Sequence, residues 1–155
     1  MNFDLRAVLP LLVPKAIAWA KEREAEILSA GQTLNAEGLS IARKVGVTAP
    51  ERIRVTIVDK LPLPPDPQLQ QAALATGLLG PNMIGLTLGY GIYICNRHNS
   101  ARLLSHECRH VYQYEQAGSI ALYLPKYLQQ IAEVGYDNAP FEIDARQHEI
   151  KPGII

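Results

Sequence analysis

The chain has 155 residues, of which 48% are apolar and 19% are charged, and its formal net charge is zero. This composition predicts one globular domain over residues 1–155 and excludes an intrinsically disordered chain. Because lysine and arginine are scattered and balanced by acidic residues, no basic field for nucleic acid is expected, and two cysteines are too few for a disulfide framework.

The N-terminal part, about residues 1–60, is expected to hold two helices and a first strand. An amphipathic pattern predicts the first helix over residues 15–28, with Pro14 in its first turn and Gly31 at its end. A second helix is predicted over residues 35–45, because an asparagine can cap its start and a glycine can end it.

The apolar stretch at residues 7–20 raises the question of targeting. Two prolines and a lysine interrupt it, acidic Asp4 precedes it, and a charged helical run follows it. It is therefore a poor signal peptide, and it is too short and broken to span a membrane. We expect a cytoplasmic protein without a membrane span, and the two cysteines fit a reducing compartment.

The middle of the chain changes from helical to extended patterns. Residues 52–58 alternate, with Ile53 and Ile57 expected on the same side, which predicts a half-exposed strand. Four prolines make residues 61–67 a loop. Residues 68–79 are expected either to form a short helix or to lie irregularly over the core.

A hairpin and three helices are expected in the second half. Two β-rich apolar runs, residues 83–88 and 91–95, flank a glycine-rich turn. The helices are expected at about residues 100–117, at residues 119–134 and from residue 140 onward. This order of elements predicts an α+β fold with a small antiparallel or mixed sheet.

The first of these three helices carries the sequence His-Glu-x-x-His as His106, Glu107 and His110. Histidines four apart lie one turn above each other on the same helical face, so both imidazoles can bind one metal ion. Glu107 would then lie beside the metal, where it can take a proton from bound water. Cys108 is expected to point away from this face and to be a buried thiol.

A catalytic zinc site needs a third protein ligand and an open position for water. Glu142 fits best, because it lies in the first turn of the last predicted helix. Asp144 is the runner-up, and it points about 200° away from Glu142 on an ideal helix, so the two cannot both be ligands. The other interpretation of Glu142 is a solvated carboxylate favoured by the helix dipole. The remaining candidates are Glu133, Asp137, His148 and Glu149.

Three segments resemble small gluzincin-type metallopeptidase domains. Residues 103–113 resemble their motif helix, especially that of the uncharacterised minimal members, which read His-Glu-x-x-His-Val-x-Gln. Residues 85–94 resemble their Thr-x-Gly strand-turn-strand, and residues 140–145 resemble their Pro-x-Glu-x-x-Ala segment. The resemblance covers about residues 83–149, the expected catalytic core, and does not reach the N-terminal half.

The resemblance implies a minimal zincin-like domain that binds Zn²⁺ through His106, His110 and Glu142, with Glu107 as general base. The expected function is a zinc-dependent metallopeptidase or hydrolase that uses a zinc-bound water to cleave a peptide or protein substrate. The strand edge at residues 91–95 is expected to hold an extended peptide by backbone hydrogen bonds.

Two features of the larger gluzincins have no counterpart here. Arg146 lies four residues after Glu142, where they place an aspartate that orients a ligand histidine. No residue is assigned to stabilise the transition state, and a packing or surface role competes for every candidate, namely Tyr112, Tyr123, Tyr127, Tyr136 and His148. The alternatives are therefore a catalytically idle zinc-binding domain that acts as a protein-interaction module, and an interaction protein whose histidines are only packed.

Overall fold

The computed structural model describes residues 4–151, and residues 1–3 and 152–155 of the predicted domain lie outside them. Within the described residues, six α-helices surround a four-stranded mixed sheet, so the predicted α+β class is confirmed. None of these helices is long and apolar enough to cross a membrane. The helices are α1 (Leu5–Ala30), α2 (Ala36–Lys44), α3 (Pro67–Ala75), α4 (Ala101–Ala117), α5 (Ile120–Val134) and α6 (Pro140–Gln147). The strands are β1 (Gln32–Thr33), β2 (Arg54–Val58), β3 (Gly85–Leu88) and β4 (Gly91–Cys95).

The sheet has the strand order β1-β2-β4-β3, in which β2 and β4 run parallel and the other neighbours run antiparallel. The predicted hairpin of β3 and β4 is confirmed, and Gly89 at its turn has a φ of +66°, which glycine adopts without strain. β1 could not be predicted from the sequence, because a strand of two residues is too short to show an alternating pattern. The predicted strand edge at residues 91–95 is wrong, because β4 is bonded to β2 and β3, and the edge strands of this sheet are β1 and β3.

β4 is an inner strand of the sheet, and helices cover both of its faces. Ile92 and Ile94 belong to the apolar cluster of α2 and α4, whereas Tyr93 and Cys95 belong to the cluster of α1 and α5. All five residues of β4 are buried. A strand covered on both faces has a continuous apolar sequence, and this pattern distinguishes it from the alternating pattern of a half-exposed strand.

Helix α1 begins ten residues earlier than its predicted start at residue 15. The Asp4 side chain caps it by accepting a hydrogen bond from the Arg6 N–H, and Pro10 and Pro14 lie inside the helix. A proline inside a helix costs about 3 kcal/mol through its missing N–H and steric conflict. Both prolines are exposed, while the first two turns bury leucines in the core, and this burial offsets the cost.

The predicted strand at residues 52–58 is also shorter in the structure. Pro50–Arg52 forms a turn of 3-10 helix, and β2 begins at Arg54. Ile53 is fully buried in the cluster of α2 and α4, whereas Ile57 is 42% exposed. The predicted alternation therefore does not appear as a burial pattern along the strand, because Ile53 lies before β2 and the apolar cluster does not extend to Ile57.

Helices α4, α5 and α6 begin and end close to their predicted bounds. The Ser100 side chain caps α4, and Gly118, with a φ of +103°, ends it. Ser119 caps α5, and Pro140 is the first residue of α6. Cys108 is buried in the cluster between α4, α2 and the sheet, as predicted, so the helix face that carries His106 and His110 is turned towards β3, α5 and α6.

Candidate metal centre

Side chains from α4 and α6 converge at one point. His106 Nε2 lies 3.1 Å from Glu142 Oε1, and His110 Nε2 lies 3.0 Å from Glu142 Oε2. All three side chains are largely buried, and Glu142 is only 2% exposed. Among residues 4–151, these three form the one group of at least three potential ligand side chains whose ligand atoms lie within 4.8 Å of one another.

The other ring nitrogen of each histidine is held from outside the group. His106 Nδ1 donates to Glu149 Oε2 at 2.8 Å, and His110 Nδ1 donates to Gln113 Oε1 at 2.8 Å. The Gln113 amide keeps this orientation because its Nε2 donates to two acceptors on α6. A neutral imidazole carries one N–H, so in the neutral form of each histidine Nε2 presents a lone pair towards Glu142, and in the charged form it donates a hydrogen bond to it.

This convergence of acceptors fits a bound cation. Two imidazole lone pairs and a carboxylate at 3.0–3.1 Å repel each other unless a proton or a metal ion lies between them. Zinc ligands at about 2.0–2.1 Å in tetrahedral geometry are separated by about 3.3 Å, which is close to these distances. Two histidines and one carboxylate also match the ligand set of catalytic zinc sites, in which a fourth position is open.

The pKa values of His110 and Glu142 are shifted in opposite directions by their mutual attraction. Burial alone lowers the pKa of His110, but the Glu142 and Glu107 carboxylates outweigh burial and raise it above its ordinary value. Burial alone raises the pKa of Glu142, but the charge of His110 and hydrogen bonds from both histidines hold it well below its usual range. Positive charge is therefore stabilised between these side chains.

Of the alternative third ligands, only Glu149 contacts the group, and it binds His106 on the side away from Glu142. Asp144 accepts hydrogen bonds from Arg109 and from the amide that orients His110, so it supports the site from outside. The others lie away from the histidine pair: Glu133 and Asp137 are exposed, and His148 contacts Asp144.

Glu107 lies buried beside the ligand group. Thr87 Oγ1 donates to its Oε1 at 2.8 Å, and its Oε2 lies against Gly85, where an added Cβ would approach it to 2.9 Å. Burial raises the pKa of the Glu107 carboxyl, and the neighbouring His110 and His106 offset part of this increase. Thr87 therefore fixes Oε1, and Gly85 leaves space for Oε2. These two roles depend on the position of β3 in the sheet, which the motif alone does not reveal.

Two tyrosines of α5 bring hydroxyl groups to the site. Tyr127 donates to Glu142 Oε2 at 2.7 Å, and Tyr123 donates to Gln113 Oε1 at 2.9 Å. Their four-residue spacing puts them on one face of α5, which is the sequence signal that links them. Gln113 likewise follows His110 by three residues on the same face of α4. The sequence thus contains the spacing of these supporting residues but not their partners.

Two cavities meet at Glu107. The polar cavity, of about 340 Å³, is lined by Arg102, His106 and Glu149 among others, and the apolar chamber, of about 110 Å³, reaches His110 and Glu142. Residues common to both linings include Met83, Gly85, Glu107 and Tyr136. The candidate metal centre therefore lies between a polar opening and an apolar interior, a usual setting for a small-molecule or substrate site.

Comparison of the chain with protein-family models, with curated proteins and with solved structures finds no match. The likeness of residues 83–149 to gluzincin-type domains therefore stays a prediction.

Proposed function

We propose that this protein is a zinc-dependent hydrolase that cleaves amide bonds in peptides or proteins. His106, His110 and Glu142 would hold the zinc, and Glu107 would act as general base. The observation that carries the proposal is the buried Glu107 carboxylate, fixed by Thr87 beside a group of three metal-ligand side chains. A structural zinc site has four protein ligands and no need of a base.

Each side chain of the site would have a separate role in the proposed hydrolysis. Zinc bound here would supply Lewis acidity, which polarises a carbonyl and lowers the pKa of water. Glu107 Oε1 is occupied by Thr87, so Oε2 is the oxygen available to accept a proton and pass it to the leaving amine. Tyr123 and Tyr127 donate to acceptors of the site. Tyr136 lies beside Glu142 and lines both cavities, so its hydroxyl is the candidate to donate to a substrate oxygen.

Two histidines and one carboxylate are also the ligand set of non-haem iron oxygenases. Glu107 favours zinc hydrolysis, because proton transfer from water needs a base at this position. Both cysteines are free and buried, which fits a reducing compartment such as the cytoplasm, where we place the protein as part of this proposal.

The direct test is metal analysis of protein purified without a polyhistidine tag, followed by assay against a peptide library. We expect one zinc per chain after reconstitution and metal-dependent cleavage. Failure to bind stoichiometric zinc would contradict the proposal. Stoichiometric zinc without cleavage would instead support the alternative, a catalytically idle zinc-binding domain that acts as an interaction module.

Replacing Gly85 with alanine is expected to lower kcat/KM by roughly 100-fold, because a misplacement of about 1 Å at a catalytic group has an effect of that size. The added Cβ would lie 2.9 Å from Glu107 Oε2 and displace the carboxylate. Zinc content and Tm should remain near those of the wild type. Gly38→Ala, the same change in α2, is the control, and equal kcat/KM values for the two variants would count against the proposed position of the base.

Replacing Glu149 with alanine is expected to weaken zinc affinity by roughly 10–100-fold, the usual effect of losing a side chain that orients a ligand histidine. Glu149 holds His106 Nδ1 at 2.8 Å, so its loss frees the imidazole to rotate. Competition with a chelator of known affinity measures the change. Glu133→Ala, at an exposed position of α5, is the control, and unchanged affinity in Glu149→Ala would show that His106 is oriented by other contacts.

A further inference from the structure

The apolar chamber is built mainly by parts of the chain outside the motif. Helices α1, α3 and α5, strand β3 and the segment between α3 and β3 supply its wall, which includes Leu12, Ala16, Ala73, Leu79 and Leu128. Its polar end consists of side chains at the candidate metal centre, Glu107, His110 and Glu142. Helices α1 and α3, which lie before the segments that resemble gluzincin-type domains, thus contribute directly to the surroundings of the site.

Away from the polar end of the chamber, where Tyr136 lies, the hydroxyl groups on this wall already donate within the protein. Thr76 Oγ1 donates to Ala72 O at 2.7 Å, Thr87 Oγ1 donates to Glu107, and the Tyr114 hydroxyl donates to Thr87 O at 3.2 Å. A polar or charged side chain placed among these leucines and alanines would lose its hydration without gaining hydrogen bonds. An apolar group would bury its surface favourably.

The size and position of the chamber indicate what it holds. Protein cores rarely contain voids larger than a water molecule, and an apolar void loses dispersion contacts along its whole wall. A cavity of about 150 Å³ lined by apolar side chains stays dry and binds benzene, so about 110 Å³ suits a group of roughly four to six carbons. The chamber shares Met83, Gly85, Glu107 and Tyr136 with the polar cavity, so its wall reaches the carboxylate beside which the reacting bond would lie.

We propose that the apolar chamber is the specificity pocket of this enzyme and that it takes an aliphatic side chain adjacent to the bond that is cleaved. This inference rests on the proposed function. The substrate class is therefore a peptide with leucine, isoleucine or methionine beside the scissile bond, while its main chain and polar groups extend into the polar cavity.

The test compares two alanine-to-leucine variants of α3. Ala73 is buried and lines the chamber, so Ala73→Leu fills it, whereas Ala75 is exposed and Ala75→Leu is the matched control. In zinc-loaded wild type, leucine beside the cleaved bond should be preferred over glycine by at least about tenfold in kcat/KM, because a single methylene contributes roughly 10–200-fold in a hydrophobic pocket. This preference should be lost in Ala73→Leu and kept in Ala75→Leu.

A second variant and a second measurement keep the inference testable if Ala73→Leu does not fold. Leu78 is partly exposed on the chamber wall, so Leu78→Ala should enlarge the chamber and shift the preference towards phenylalanine. Xenon binding to zinc-free protein, followed by NMR, reports on the chamber without any catalysis. It should be seen in wild type and in Ala75→Leu and be absent from Ala73→Leu.

The outcomes separate the two proposals. Cleavage without a side-chain preference, or a preference that Ala73→Leu and Leu78→Ala both leave unchanged, overturns the pocket assignment while the hydrolase proposal stands. Absence of cleavage in zinc-loaded wild type overturns the hydrolase proposal, and xenon binding that Ala73→Leu abolishes would then still support an apolar ligand site. Absence of xenon binding in wild type also overturns the pocket assignment.

Discussion

Glu107→Gln is expected to retain zinc and to lose roughly 10²–10⁴-fold in kcat/KM, the range that general acid–base catalysis contributes. The glutamine carbonyl can still accept the hydrogen bond from Thr87, and its amide occupies nearly the same volume against Gly85. It cannot accept a proton from water at neutral pH. Because Glu107 is only 5% exposed, replacing its carboxylate with a neutral amide removes a buried charge and should not destabilise the fold.

The control for this prediction is Glu115→Gln, the same chemical change on the same helix. Glu115 accepts hydrogen bonds from the Thr48 and Ala49 N–H groups and from the Tyr90 hydroxyl, and none of these groups belongs to the metal centre. Its variant should keep kcat/KM and zinc content and lose some stability. The measurements are zinc per chain, Tm and steady-state kinetics. Equal kcat/KM for wild type and Glu107→Gln would exclude Glu107 as the base and favour an idle zinc domain.

The parts of the fold that depend on local signals could be predicted from the sequence. Helices α4, α5 and α6 follow from apolar periodicity and from caps that act within a few residues, such as Ser100 and Ser119. The start of α1 could not be predicted in the same way. Pro10 and Pro14 disfavour a helix locally. Only the burial of leucines of α1 against distant elements offsets the free-energy cost of these prolines.

In the site, too, the contacts within one helix could be predicted from the sequence, whereas those between distant parts of the chain could not. His106 and His110 come together through helix geometry alone, since four residues complete about one turn. Glu142 reaches them only because α5 returns the chain to α4, and spacing could not separate it from a solvated carboxylate. The orienting role of Glu149 depends on the final turn of the described chain folding back onto α4, where Ile150 N–H also donates to Ser105 Oγ.

The sequence-based prediction placed the binding of an extended peptide at β4, which is an inner strand of the sheet. β4 uses its backbone groups on both sides, in pairs with β2 and β3, so it offers no free edge to an extended peptide. The edge strand β3 carries Gly85 and Thr87, which contact Glu107. If a peptide binds by strand addition, we therefore expect it to pair with β3, next to the proposed base.

Glu142→Ala is expected to abolish stoichiometric zinc binding, with a larger loss of affinity than the roughly 10–100-fold that follows from removing an orienting residue. Glu142 presents one carboxylate oxygen to each histidine, at 3.1 and 3.0 Å, and Tyr127 fixes the carboxylate at 2.7 Å. Without Glu142, two neutral imidazoles remain. The raised pKa of His110 should then fall, because burial opposes its charge and its principal carboxylate partner is gone.

The choice of control for Glu142→Ala follows from the structure. By sequence alone, Asp144→Ala should keep zinc, because Asp144 points away from Glu142 on the helix. In the structure, however, Asp144 Oδ2 accepts a hydrogen bond from Gln113 Nε2 at 2.9 Å, and Gln113 orients His110. We therefore expect three grades of zinc affinity: unchanged in Glu133→Ala, reduced in Asp144→Ala and lost in Glu142→Ala. If Asp144→Ala lost zinc and Glu142→Ala retained it, the two carboxylates would exchange roles, and the third ligand would have to be reassigned.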